Sequence, residues 1–318
     1  MSTANLTAPP ATAASADGTA PDRGSRASTR REQRSALVFL APSLIGVIAF
    51  LLIPVLLVII LSFAKWNLLT PPSFAGLSNY VNIFKYDAVG HSLLVTAYYV
   101  LLNIPAQTVL ALLLAMLLNR KLPGAGFVRV LCVLPYLATP VAMAVVWNWF
   151  FDPSTGVVNT LLGFVGITGP SWLSSAGWAM PVVAFANIWQ YVGYNMLFFL
   201  AGLQAIPAPL YEAASIDGAS KRQQFFGITL PLLRPTMLFV LVTGVIGSFQ
   251  VFDTVYVLTN GGPGRATEVM NSLIYKSAFV GFRIGDAAAM SVVLFVVILA
   301  ITILQFVYFR NRTTYEMS

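Results

Sequence analysis

The chain has 318 residues, of which 58% are hydrophobic and 9% charged, against about 25% charged in an ordinary soluble domain. With a mean hydropathy of +0.79, so few charges cannot furnish a water-facing shell. These values exclude a soluble enzyme, a nucleic-acid reader and a disordered scaffold, and they define a polytopic membrane protein. The 18 Lys+Arg against 11 Asp+Glu fall in short clusters beside apolar runs, where membrane topology is set. Cys132, the one cysteine, lies within an apolar run, and His91, the one histidine, has no partner at metal spacing. Both read as structural.

Residues 1–35 are rich in Ala, Ser, Thr and Pro, lack aromatics, and end in a basic stretch from Arg23 to Arg34. Such a segment buries too little apolar surface to fold, so a disordered cytoplasmic tail is expected. The apolar run that follows is too long for the core of a signal peptide and reads as a retained helix. A spanning helix needs about 20 mostly apolar residues. Six stretches qualify, roughly 36–63, 93–118, 127–151, 178–203, 236–258 and 287–309. An all-α membrane protein with six transmembrane helices is therefore expected. With the N-terminus inside, thirteen of the 18 cations fall on the cytoplasmic side and five outside (Lys65, Lys85, Arg265, Lys276 and Arg283). That asymmetry obeys the positive-inside rule and puts both termini in the cytoplasm. The loop 152–177, bracketed by Trp172 and Trp178, reads as interfacial, and His91 with Tyr98 and Tyr99 as interfacial anchors.

Between the fourth and fifth apolar runs, residues 204–235 have their own local logic. Pro209 suits a first helical turn, and Glu212 complements the helix dipole there. Gly218 can end that helix, Ser220 with Gln223 forms a capping box for a second, and Pro231 is expected to close it. Ala213 and Ala214 offer a small, closely approachable surface.

Glu212-Ala213-Ala214, Asp217-Gly218, Ile228 and Leu230-Pro231 resemble the EAA-type loop of bacterial ABC importer permeases, at the family's spacing. Phe252 to Pro263 with Thr267, Phe282 to Ser291, and Leu134 to Trp147 with Gly156 and Asn159 are similar to segments of the carbohydrate-uptake type. That type includes the larger maltose-transporter permease. Over residues 36–318 the resemblance implies a type I ABC importer transmembrane domain in the bacterial cytoplasmic membrane. It implies that the eight loop residues named above couple to an ATPase. The implied partners are a second homologous permease, an ABC ATPase dimer and an extracytoplasmic sugar-binding protein. ATP and Mg would sit on the ATPase, with no cofactor on this chain.

The residues themselves show no phosphate-binding Gly-x-x-x-x-Gly-Lys-Ser/Thr loop and no catalytic constellation. An uncharged sugar needs amides, hydroxyls and aromatic faces. Asn187, Gln190, Tyr191 and Tyr194 recur at helical spacing as one stripe. On composition alone they serve equally well as interhelical hydrogen bonds or as the lining of a polar path. The resemblance matches Asn187 and Tyr194 to sugar contacts and puts Ser248 in place of an Asn, with Gln250 nearby but off that face. It also has Gln190 and Tyr191 replacing a Leu and a Gly, which implies a different sugar. The path lacks the cations that a glycerophosphate cargo would need, the sibling alternative within this class. Asp253, the one carboxylate in an apolar run, would serve a proton-coupled secondary transporter, or a structural hydrogen bond.

Overall fold

The computed structural model describes residues 39–85, 87–120 and 123–310; the tail expected over 1–35 lies outside them. The chain divides at Leu56 into two units. The first contains most of α1 (Phe39–Leu61), none of whose most apolar stretch is buried. Between Ile48 and Leu52 this helix widens into a π turn closed by the Ile53 N–H on the Ile48 carbonyl. Pro54 follows two residues later, with no N–H and a ring that would strike the carbonyl four residues back. A wider turn relieves that clash.

In the second unit, the regular structure of the described residues is helical apart from a short antiparallel ribbon, Ala64–Lys65 with Ser73–Phe74. Its helices are α2 (Ser78–Lys85), α3 (Ala88–Leu118), α4 (Ala125–Leu137), α5 (Pro140–Phe150), α6 (Val157–Phe164) and α7 (Ala179–Gln204). Then come α8 (Ala208–Ile216), α9 (Lys221–Leu232), α10 (Arg234–Phe249), α11 (Asp253–Leu258), α12 (Met270–Tyr275) and α13 (Ile284–Arg310). Three helices are long and apolar enough to cross a membrane (α1, α3 and α13), or up to six if each of three bent helix pairs counts as one span.

Two of the runs read as single helices are broken. The run at 127–151 is α4 and α5, bent by 98°. Thr139, in the extended conformation that the following Pro140 demands, accepts the Ala142 N–H on its own Oγ1 at 3.3 Å and so starts a new helix. The run at 236–258 stops at Phe249 and resumes at Asp253. Pro231 does not close the loop helix either. A π turn over Phe225–Thr229 absorbs it at the same two-residue spacing as Pro54, and α9 continues to Leu232.

Apolar packing is layered. One cluster joins Val95 and Tyr99 of α3, Met180 and Val183 of α7, and Val251 and Val255 around α11. Another joins Ala111 and Ala115 of α3, Met196 and Phe199 of α7, and Val240 of α10. Tyr99 is fully buried in the first cluster, so it is a core residue and not the interfacial anchor its pairing with Tyr98 suggested. Beyond α11 a tight loop is tied by Glu268, which binds Arg265 at 2.6 Å and Lys276 at 3.1 Å. Burial alone would raise the Glu268 pKa, but hydrogen bonds and charge from Arg265 and Lys276 outweigh it and hold the carboxyl below its usual range. His91 belongs to the same knot, through its Nε2 at 3.0 Å from the Arg265 carbonyl.

Helices α4 and α7 approach so closely that a Cβ on Gly193 would collide with the Cys132 carbonyl, which is backbone and cannot swing aside. Gly126, near the start of α4, has open space around it. Gly193→Ala should therefore cost about 1–3 kcal/mol by overpacking and lower the detergent-solubilised melting temperature. Gly126→Ala should leave it unchanged or slightly raised. Equal melting of the two variants would contradict the close contact.

Candidate functional site

Between the two apolar clusters, the same helices carry polar side chains at matching heights. Asn103 and Gln107 lie on α3, Asn187 to Asn195 on α7, and Thr243 to Ser248 on α10. They enclose a cavity of about 250 Å³ whose lining includes Asn187, Tyr191, Tyr194, Ser248 and Gln250. Five of the six path residues singled out in the sequence thus share one space. Gln250 reaches it because α10 ends one residue earlier, which turns the residue from the flank of a helix into the wall of a gap.

Gln190, the sixth, is absent from the lining. It is buried, and its Nε2 donates to the Ala138 carbonyl at 3.0 Å. That carbonyl sits at the α4–α5 break, where the Ala142 N–H has been captured by Thr139. Gln190 supplies the donor the bend left missing, so its place is structural and the helical stripe is split.

Four further polar groups belong to the wall. Tyr136 of α4 stacks on Tyr194 with centroids 4.2 Å apart and meets Tyr191 edge-on at 5.6 Å. Gln107 lines the cavity while its Oε1 accepts from Asn103 Nδ2 at 3.3 Å, and the same Nδ2 reaches Ser248 Oγ at 3.0 Å. Asn195 lies beside them. Asp253 also faces the cavity, and the carboxylate makes no hydrogen bond or ion pair among the described residues. The structural hydrogen bond considered for it is therefore not there. Tyr136 was hidden because it lies on a different helix from the stripe. Asn103 and Gln107, four residues apart in an otherwise apolar helix, were the visible but unweighed signal.

The loop motif forms a second compact unit, α8 and α9. Gly218 adopts a left-handed φ of +78°, and the Ala219 N–H closes on the Ala214 carbonyl at 2.9 Å. This is a glycine-ended helix terminus. Ser220 and Gln223 form the reciprocal capping box. The two helices are fastened by Tyr211, whose hydroxyl is 2.8 Å from Thr229 Oγ1, and by buried Gln224, whose Nε2 donates to Ser215 Oγ at 2.9 Å and to the Ala219 carbonyl. Glu212, Ala213, Asp217 and Gly218 are exposed, while Ala214, Ile228, Leu230 and Pro231 are half-buried. Ile216 beside them is 87% exposed.

A cavity of amides, hydroxyls and tyrosine rings inside a bundle of apolar helices, with a structured loop at one end, defines a solute-translocating membrane subunit. The chain belongs to the family of binding-protein-dependent transport system inner membrane components, which residues 73–312 match. It is 38% identical to an sn-glycerol-3-phosphate transport system permease protein, UgpA, of Agrobacterium fabrum, over 76% of this chain and 83% of the relative. It is 34% identical to a trehalose/maltose transport system permease protein, MalF, of Thermococcus litoralis, over 86% and 92%. A bacterial alginate ABC transporter, solved in complex with an alginate pentasaccharide-bound periplasmic protein, superposes with a TM-score of 0.77 at 26% identity, covering 89% of this chain and 96% of that one.

Gln224 is the fastener with the most bonds in the loop. Removing a buried hydrogen-bonded amide costs about 1–3 kcal/mol. Gln224→Ala should quicken amide hydrogen exchange across residues 208–219 by about tenfold and leave α3 and α7 unaffected. Unchanged exchange in that segment would show that the loop is held by something else.

Proposed function

We propose that the chain is the permease subunit of an ATP-driven importer and forms the translocation path for an uncharged mono- or oligosaccharide in the bacterial cytoplasmic membrane. The observation that carries this reading is the convergence of Asn187, Tyr191 and Tyr194 of α7, Ser248 of α10 and Gln250 just beyond it, on one cavity between apolar layers. Amides and hydroxyls match sugar hydroxyls, and tyrosine faces match the apolar faces of a pyranose.

Six spans follow if α1, α3, α4 with α5, α7, α10 with α11, and α13 each cross once. The thirteen-to-five distribution of cations supports cytoplasmic termini and a cytoplasmic α8–α9 loop. In this arrangement Glu212, Ala213, Ala214, Asp217, Gly218, Ile228, Leu230 and Pro231 form the docking element for an ATPase dimer, and ATP and Mg are bound by that partner. A second homologous permease completes the path, and an extracytoplasmic binding protein delivers the sugar. ATP-driven closure of the ATPase pair pushes on the loop and rocks the helices about the cavity. Family membership favours this ATP-driven scheme over proton coupling through Asp253. A glycerophosphate cargo, the name carried by one relative, is disfavoured by a cavity with no cation among its lining residues.

The +78° φ of Gly218 costs a β-branched residue about 1–2 kcal/mol and distorts the docking surface. In proteoliposomes holding the full transporter, Gly218→Val should insert normally and keep basal ATP hydrolysis, while sugar uptake falls about tenfold or more. Uptake at the wild-type rate would remove the loop from the mechanism.

A further inference from the structure

The cavity contains a carboxylate that neither the fold nor the coupling loop explains. Asp253 stands at the gap between α10 and α11, yet the gap is closed by other groups. The Gln250 N–H bonds to the Ile246 carbonyl at 3.2 Å, the Val251 N–H to the Ser248 carbonyl at 3.3 Å, and Asn271 Nδ2 to the Gln250 carbonyl at 2.7 Å. None of these bonds uses the Asp253 side chain. It is exposed to the cavity, without hydrogen bond or ion pair among the described residues, and close enough to Tyr191 to interact with it electrostatically. Among the described residues, the other carboxylates beyond α11, Glu268 and Asp286, each have a cation. Of the residues lining the cavity, Asp253 alone carries a charge.

We propose that Asp253 is the selectivity residue of the path: it accepts hydroxyl hydrogen bonds from a neutral glycan and turns away anionic ones. The inference rests on the cavity being the cargo site. A carboxylate is acceptor-only, with two oxygens that can take protons from adjacent hydroxyls, the pattern that a vicinal diol presents. Such charge-assisted bonds are about twice as strong as neutral ones. The same negative charge repels a uronate or a phosphate at close range. The remaining wall residues are all neutral: amides, hydroxyls and aromatics, with Pro140, Gly244, Gly247 and Val251. They bind polyols without discriminating charge, so discrimination falls to Asp253.

The test uses the assembled transporter, this chain beside its second permease, in lipid nanodiscs with two probes of matched ring, methyl glucoside and glucuronate, read by saturation-transfer NMR. Wild type should bind the neutral probe and disfavour glucuronate by about tenfold, equivalent to one unit of pKa-scale interaction energy. Asp253→Asn, nearly identical in shape, should bring the two probes within about twofold of each other, and Asp253→Glu should restore the preference. If Asp253→Asn keeps the wild-type discrimination, the selectivity role is wrong while the cavity reading stands. If wild type binds neither probe, or if Tyr194→Ala leaves both signals unchanged, the cavity is not the cargo site and the inference falls with it.

Discussion

Everything in this structure turns on keeping polar side chains inside apolar helices without stranding them. A buried amide with no partner costs about 1–3 kcal/mol, and in a membrane no water is at hand to rescue it. The chain meets most of that constraint by stacking its groups in layers along α3, α7 and α10, although Tyr99 Oη, Asn103 Oδ1 and Trp147 Nε1 stay buried without a partner among the described residues. Apolar clusters fill the two ends, and amides, hydroxyls and tyrosines fill the middle. In the middle layer some groups satisfy one another, as Asn103 does with Gln107 and Ser248. Others mend the backbone, as Gln190 does at Ala138. What is left over, Asn187, Tyr191, Tyr194, Gln250 and Asp253, faces open space. A polar surplus facing a cavity is what a translocation path requires, and its cost is contained by the layers above and below.

Backbone breaks give the layers their shape. Pro140 and Thr139 turn α4 into α5 by 98°, and the interruption after Phe249 brings Gln250 and Asp253 round to the cavity. The α8–α9 loop has the opposite character: a glycine terminus, a capping box and the Tyr211 and Gln224 fasteners make it a rigid knob. In the proposed function, a rigid knob joined to bent helices passes a push at the loop to the walls of a cavity several turns away.

The loop was nearly complete in the sequence, because its signals are local. Gly218, Ser220 and Gln223 act within a few residues of themselves, and capping chemistry can be read at that range. Pro231 misled because a π turn can absorb a proline, and nothing in the residue order announces it. The class of the fold was legible from composition and from the long apolar runs. The cavity was half legible: the α7 stripe located it, but helical spacing could not tell Gln190 from its neighbours, since its partner was created by a bend in another helix. Tyr136 and Gln107 depended on which helices touch, which a single sequence does not encode in any local pattern. Tyr99 was misread for the same reason.

The proposed function requires the cavity to open to alternate sides of the membrane as the loop is pushed. The most direct measurement places one reporter, Asn187→Cys in a Cys132→Ser background, in the assembled transporter. Its labelling by an impermeant thiol reagent would be compared from each side, with and without ATP. Labelling from the cytoplasmic side without ATP, switching to the outer side when ATP closes the ATPase pair, is the predicted result. Labelling from the same side in both states would contradict the account.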